Sequence, residues 1–295
     1  MKIKAKKLLS LIVTLVMTIT IMSVCMVSMT AGAAAADEKR ATYNGFKEYY
    51  VELGGEKFTG YILGPEEEGK YPVNVIYCGT GGLQRWKQYN FDQLYQQWVT
   101  DGYVQPSIIV MPSTARNNQK MEASVVGWEF ELTVKKQLGR MKEALLKTPY
   151  SSRIDPTKEI SISGYSMGGA AALLTGSLYP NLYANIGALS CSHTYYSNSD
   201  STAWLTKKKA VVFSKSSKAR RLLSYSKSEG DIFKKSFDLY NSVSRDNGYK
   251  FKTYITKGYG HNVYLFYRQI FVYLYYLDHN VVLTDNMLDA MDYGI

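Results

Sequence analysis

From Tyr49 onward the chain alternates short apolar runs with longer stretches of helical spacing. Tyr49–Leu53 and Lys57–Leu63, split by a Gly-Gly-Glu turn, read as an opening β-hairpin. Val73–Tyr77 follows a proline and runs into the glycine-rich Cys78–Gly82. Ser107–Pro112, Glu159–Ser163, Ala184–Ser190, Arg221–Ser226 and Phe251–Thr256 are further strand-length runs, the one at 221 the weakest in apolar character. Between them Trp128–Thr148, Met167–Leu178, Ile232–Arg245 and Asn262–Leu277 carry helical spacing, and Pro180 stops the second of these.

Strands with almost no polar face, separated by helices, belong in a sheet that is covered on both sides, so the pattern predicts an α/β fold with a mostly parallel central sheet. Right-handed connections then put helices on both faces. No internal repeat and no Pro/Ser-rich linker divides residues 37–295, which read as a single domain. Ser192–Ala219 breaks the pattern: it is irregular and rich in Tyr, Ser and Lys, and fits an insertion over the carboxyl edge of the sheet, where ligands bind in such folds.

The first 36 residues follow a different rule. A basic Met1–Lys7 leads into an uncharged apolar run and then into an alanine-rich exit. That order is a secretory signal peptide, with cleavage expected after Ala33, Ala35 or Ala36. The alternative is an uncleaved anchor, because the apolar run reaches about 20 residues. Lipidation at Cys25 fits poorly behind the bulky Val24. The expectation is a secreted protein with no stable membrane anchor once the signal is removed.

Of 295 residues 20% are charged and 46% hydrophobic, an ordinary globular composition. Losing the signal removes four lysines and lowers the formal charge from +10 to +6. No basic run, Lys207–Lys209 included, is dense enough to point to nucleic acid. Cys78 and Cys191 remain, either as an isolated pair or as two buried free thiols. There is no CxxC or HExxH spacing, so no metal site and no cofactor is expected.

The chemistry sits in Gly164-Tyr165-Ser166-Met167-Gly168, a G-x-S-x-G pentapeptide. Alone it is weak, since roughly one chain in ten of this length holds one by chance at ordinary Gly and Ser frequencies. Context strengthens it: a predicted strand ends just before and a predicted helix starts just after. Glycines at 164 and 168 let so sharp a turn form, and Ser166 then stands at the tip of the sheet beside the positive end of a helix. A hydroxyl there becomes a nucleophile only when a base takes its proton.

Three histidines are available. His261, in the glycine-flanked loop between the last strand and the last long helix, reaches the same edge as Ser166 and is the expected base. His193 also reaches that edge and is expected in the pocket wall, while His279 is expected on the surface. In hydrolases that carry the serine on this strand–turn–helix elbow the partners follow in the order serine, acid, histidine. The acidic residues in that interval are Asp200, Glu229, Asp231, Asp238 and Asp246. Asp231, just past a weak strand and at a helix start, is the expected acid, with Glu229 next; Asp231 would also suit a helix N-cap. The oxyanion donors expected are the N–H of Met167 and of Thr80, in the glycine-rich loop after the Val73–Tyr77 strand.

The succession of Cys78–Gly82, Arg153–Gly169, Gly230-Asp231 and Gly258–Asn262 resembles the secreted esterases of the α/β-hydrolase superfamily, the group that holds esterase D-like, feruloyl and acetylxylan esterases and the mycolyltransferases. The resemblance spans Val73 to Leu277. It implies an α/β-hydrolase fold with Ser166 as nucleophile, His261 as base and Asp231 as acid. Two positions depart from it. Cys78 stands where the family usually has His, and the acid loop lacks the usual His-Gly lead-in.

Tyrosines 89, 165, 195, 196 and 259 fall near the expected edge loops, and Trp86 follows the oxyanion loop. Trp86 and Tyr165 are expected to touch substrate, taken to be an acyl ester, with an ester borne by a polysaccharide as the leading form. Tyrosine also suits half-buried strands for packing reasons alone. An acyltransferase using the same acyl-enzyme, and a non-catalytic carbohydrate-binding scaffold, are the other functions the sequence leaves open.

Overall fold

All eight runs read as strands pair into one sheet. The structure is a computed structural model that describes residues 41–77, 89–112, 138–191 and 212–295. The strands are β1 (Lys47–Leu53), β2 (Glu56–Leu63), β3 (Val73–Tyr77), β4 (Ile108–Pro112), β5 (Ile160–Tyr165), β6 (Tyr183–Leu189), β7 (Arg221–Ser226) and β8 (Lys252–Thr256), in the order β1-β2-β4-β3-β5-β6-β7-β8. β1, β2 and β4 pair antiparallel, and every pairing from β4 to β8 is parallel. This is the mostly parallel α/β sheet that the pattern predicts, in the strand order expected from the α/β-hydrolase resemblance. The signal segment, the Cys78–Gly82 loop with Thr80, Trp86, the Trp128 end of the first helical stretch, His193, Asp200 and residues 192–211 of the insertion lie outside the described residues.

Side-chain period explains which face each residue covers. In β3, Val73, Val75 and Tyr77 point into one hydrophobic cluster and Ile76 into the other. The first cluster is closed by α2 (Met141–Leu145), α3 (Met167–Leu178) and α4 (Asp231–Asp246). The second is closed by α1 (Phe91–Thr100), α5 (Val263–His279) and α6 (Asp285–Asp289). Central strands β3, β4 and β5 are buried along their whole length, whereas β1 and β8 at the edges alternate exposed and buried positions. β7, the weakest strand signal, is buried at five of its six positions because it lies between β6 and β8.

The helices also show where the sequence reading stops short. α1 lies outside the predicted helices, although Phe91, Tyr95, Trp98 and Val99 fall at helical spacing and are all buried. α5 is apolar nearly all round, as a helix packed on a sheet and overlaid by a C-terminal segment must be. Each side chain such as Phe266, Ile270 or Phe271 that it buries contributes about 2 to 3 kcal/mol. Its buried Arg268 is satisfied by Tyr254 Oη at 2.8 Å, Asp285 Oδ1 at 3.1 Å and Asp289 Oδ1 at 3.0 Å, which ties the C-terminal segment to the sheet.

The topology fixes where a ligand can bind. From β3 the chain moves to β4 on one side and returns to β5 on the other, so the connections leaving β3 and β5 go to opposite faces. The crevice beyond the carboxyl ends of β3 and β5 is the switch point of the sheet. Ser166 stands at its rim, two residues past Gly164, which pairs with Tyr77 of β3.

Candidate active site

Ser166 links β5 directly to α3. Its backbone has φ 60° and ψ −120°, a strained conformation for a residue with a side chain. Backbone hydrogen bonds hold it there. The Ser166 N–H donates to Leu189 O on β6 at 2.9 Å, and Gly169 N–H donates to Ser166 O at 3.1 Å. Gly164 has no alternative residue: a Cβ there would lie 2.2 Å from the carbonyl oxygen of Gly168. The Ser166 side chain makes no capping bond to α3, and the residue is 4% exposed. Met167 is the first residue of α3, where backbone N–H groups face outward along the helix dipole.

His261 lies beyond β8, at the same edge as Ser166. Its Nδ1 is 2.6 Å from Glu229 Oε1. Its ring stacks on Tyr165 at 4.6 Å between centroids and 15° between planes, and on Phe233 at 4.3 Å and 21°. Tyr165 immediately precedes Ser166, so the imidazole rests on the residue next to the serine. The Tyr165 hydroxyl is 3.0 Å from the same Nδ1. Burial pushes the Tyr165 phenol well up, and the nearby Glu229 charge adds to this, so the group stays a neutral hydroxyl.

The carboxylate that meets the imidazole is Glu229, not the expected Asp231. The loop after β7 explains the exchange. Glu229 N–H donates to Ser226 O at 3.1 Å, closing a turn, and the side chain folds back to accept from Ser226 N–H at 2.6 Å. Gly230 then takes φ 93°, a conformation open to glycine, and serves as the N-cap of α4. Asp231 is therefore the first helical residue rather than the cap, and it is exposed. There its charge complements the helix dipole. The Glu229 side chain is fully buried, and its Oε2 also accepts from Ser190 Oγ at 2.7 Å.

The other candidates fall elsewhere. Asp238 pairs with Lys234 on the outside of α4 at 2.5 Å, and Asp246 ends that helix. His279 ends α5, a helix about 24 Å long, and its Nε2 lies 3.1 Å from Tyr103 O. Tyr165, expected against substrate, is only 7% exposed and instead supports the imidazole. Cys191, just past β6, is a free buried thiol, pushed up first by burial and then by the Glu229 charge. Among the described residues no group of three His, Cys, Asp or Glu side chains is placed to hold a metal ion, and no helix is long and apolar enough to cross a membrane.

Phe233, Ser190 and Gln269 were not singled out from sequence. Only Gln269 carried a signal there, as an uncharged polar residue within an apolar helical run.

Comparison with known proteins bears on family and fold. The family model described as Putative esterase matches residues 52–232, more than half of the chain. No curated protein matches the chain. Among solved structures, a ferulic acid esterase from the anaerobic fungus Anaeromyces mucronatus is 16% identical with a TM-score of 0.56, over 82% of this chain and 95% of that one. The BES protein from Bacillus cereus is 16% identical with a TM-score of 0.55, over 83% and 98%. A feruloyl esterase module from Clostridium thermocellum, complexed with sinapinate, is 14% identical with a TM-score of 0.55, over 83% and 90%. At these identities the structures bear on fold, and the family match bears on activity. The chain belongs to the Putative esterase family, and it is a carboxylic-ester hydrolase on an α/β-hydrolase fold.

Proposed function

We propose that the chain is a secreted serine esterase in which Ser166 is the nucleophile, His261 the base and Glu229 the acid. One observation carries the reading: the 2.6 Å contact between His261 Nδ1 and a fully buried Glu229 carboxylate, with the imidazole stacked on the residue that precedes Ser166. With Nδ1–H donated to Glu229, Nε2 is the nitrogen left to accept a proton.

In this reading Nε2 takes the Ser166 proton as Oγ attacks the ester carbonyl carbon. The oxyanion forms against the N–H of Met167, at the positive end of α3, and of Thr80 in the loop after β3. The intermediate collapses as the C–O bond to the alcohol breaks and the alcohol takes the proton from Nε2. Water then attacks the acyl-enzyme by the same route, giving the acid and restoring the Ser166 hydroxyl. No step calls for a cofactor.

The substrate proposed is an acyl ester carried on polysaccharide. Support comes from the signal-like first 36 residues, from neighbours named as ferulic acid and feruloyl esterases, and from the exposed rings of Tyr89 and Tyr264, the latter three residues past His261. Ser166→Ala should abolish turnover of a short p-nitrophenyl ester while keeping the parental melting temperature; retained turnover would overturn the mechanism. A panel of acetyl, butyryl and feruloyl esters then ranks the acyl group.

A further inference from the structure

Four non-glycine residues among those described have positive φ: Asn90, Ser166, Ser190 and Asn280. The asparagines flank α1 and α5, and asparagine tolerates this region better than most side chains. The serines end β5 and β6, adjacent parallel strands, at one edge of the sheet. Ser166 is the nucleophile of the reading above. Ser190, at φ 45°, has no helix end to account for it, and glycine would form the same bend without strain. A side chain kept at such a position points to a task for that side chain.

The task is visible in its contacts. Ser190 Oγ lies 2.7 Å from Glu229 Oε2, and Gln269 Nε2 lies 2.8 Å from Ser190 Oγ. A serine hydroxyl has one proton, and an ionised carboxylate can only accept. Gln269 Oε1, 3.0 Å from Ser190 Oγ, is a second acceptor, but the charged carboxylate is nearer and takes the proton, while Gln269 presents its N–H to the Ser190 oxygen. All three side chains are buried. Donors thus run from α5, through the end of β6, to the Glu229 oxygen that faces away from the imidazole.

We propose that Ser190, steadied by Gln269, is a positioning residue that, beside the Ser226 N–H, holds Glu229 Oε2 and so aims Oε1 at His261 Nδ1. Glutamate has one more side-chain torsion than aspartate, so an acid of this length needs its second oxygen fixed. The proposal rests on Glu229 being the acid of the catalytic histidine.

The test compares Ser190→Gly, Gln269→Leu and Glu229→Gln with the parent protein on p-nitrophenyl acetate across pH, with a melting curve for each. Ser190→Gly removes the hydroxyl and relaxes the backbone; Gln269→Leu removes the relayed donor at nearly constant volume. Ser190→Gly is expected to lower kcat about 10- to 100-fold, the scale of one hydrogen bond to a charged group, and Gln269→Leu about 3- to 10-fold, the scale of a bond between neutral groups, each with KM within about twofold. In Ser190→Gly the acid limb of kcat/KM moves to higher pH, because a carboxylate that has lost a donor draws the imidazolium proton more tightly. Parental turnover in Glu229→Gln would overturn the reading of Glu229 and this proposal with it. A collapse of turnover in Glu229→Gln, with parental kcat and pH profile in the other two variants, would overturn the proposal alone. Should one of those two fail to fold, the other decides on the same readouts.

Discussion

Tyr165 and His261 lie face to face, with ring centroids 4.6 Å apart and the phenol oxygen 3.0 Å from Nδ1. The residue before Ser166 is thereby the floor on which the imidazole rests. The strained turn that presents the Ser166 hydroxyl and the surface that orients the imidazole come from one pentapeptide. Removing the hydroxyl and removing the ring are expected to have separate effects. Tyr165→Phe keeps the stack and should lower kcat/KM no more than about tenfold, the worth of one hydrogen bond. Tyr165→Ala also deletes a buried ring and should cost about 3 to 5 kcal/mol of stability, with a larger loss of turnover. Steady-state kinetics and thermal melts on the pair separate the two.

Glu229 and Asp231 are two residues apart and differ sharply in surroundings. Glu229→Gln keeps the shape but leaves Nδ1 facing an amide that can present the wrong group, and should lower kcat/KM by about 1,000-fold or more. Asp231→Asn, on the exposed first turn of α4, should leave kcat/KM within about twofold. A reversed outcome would return the acid to position 231.

That exchange marks the limit of the sequence. The eight strands and the serine turn were legible because each is a local pattern: apolar runs of strand length, and glycines where backbone crowds backbone. The match of β7 at Arg221–Ser226 is complete, and β5 extends two residues beyond its predicted end, into the motif itself. The choice between Glu229 and Asp231 depended on a turn closed by Ser226 and on which residue Gly230 would place at the helix cap, and neither leaves a periodic trace. Ser190 was equally silent, because its role follows from a φ angle and from partners 39 and 79 residues away. α1 carries a legible helical spacing at Phe91, Tyr95, Trp98 and Val99, beside the more prominent glycine loop.

Gly164→Ala tests the tightness of the elbow. The added Cβ would sit 2.2 Å from Gly168 O and 2.4 Å from its carbonyl carbon, both backbone atoms that no rotamer change can move. The substitution should cost more than about 3 kcal/mol, read as a lower melting temperature and lost turnover.

Asp285 gives the fold a pH dependence whose sign follows from its partners. Burial works against its charge, but bonds from Tyr254 Oη at 2.8 Å and Arg268 Nη2 at 3.1 Å hold the carboxyl below the usual carboxylate range. A group lowered in the folded state stabilises it fully above the unfolded value, about 4, and ceases to do so as pH falls through the folded value. Asp285→Asn should therefore melt lower than the parent at pH 7, by about 1 to 2 kcal/mol. The gap should narrow as pH falls from about 5 to 3.

The most direct measurement is the site of covalent capture. The protein is incubated with a fluorophosphonate ester and digested, and the adduct is mapped by mass spectrometry. A single phosphonyl group on the peptide carrying Ser166, formed much more slowly in His261→Ala and Glu229→Gln, is the result the account predicts. Labelling of another residue, or an unlabelled protein that still turns over p-nitrophenyl esters, would contradict it.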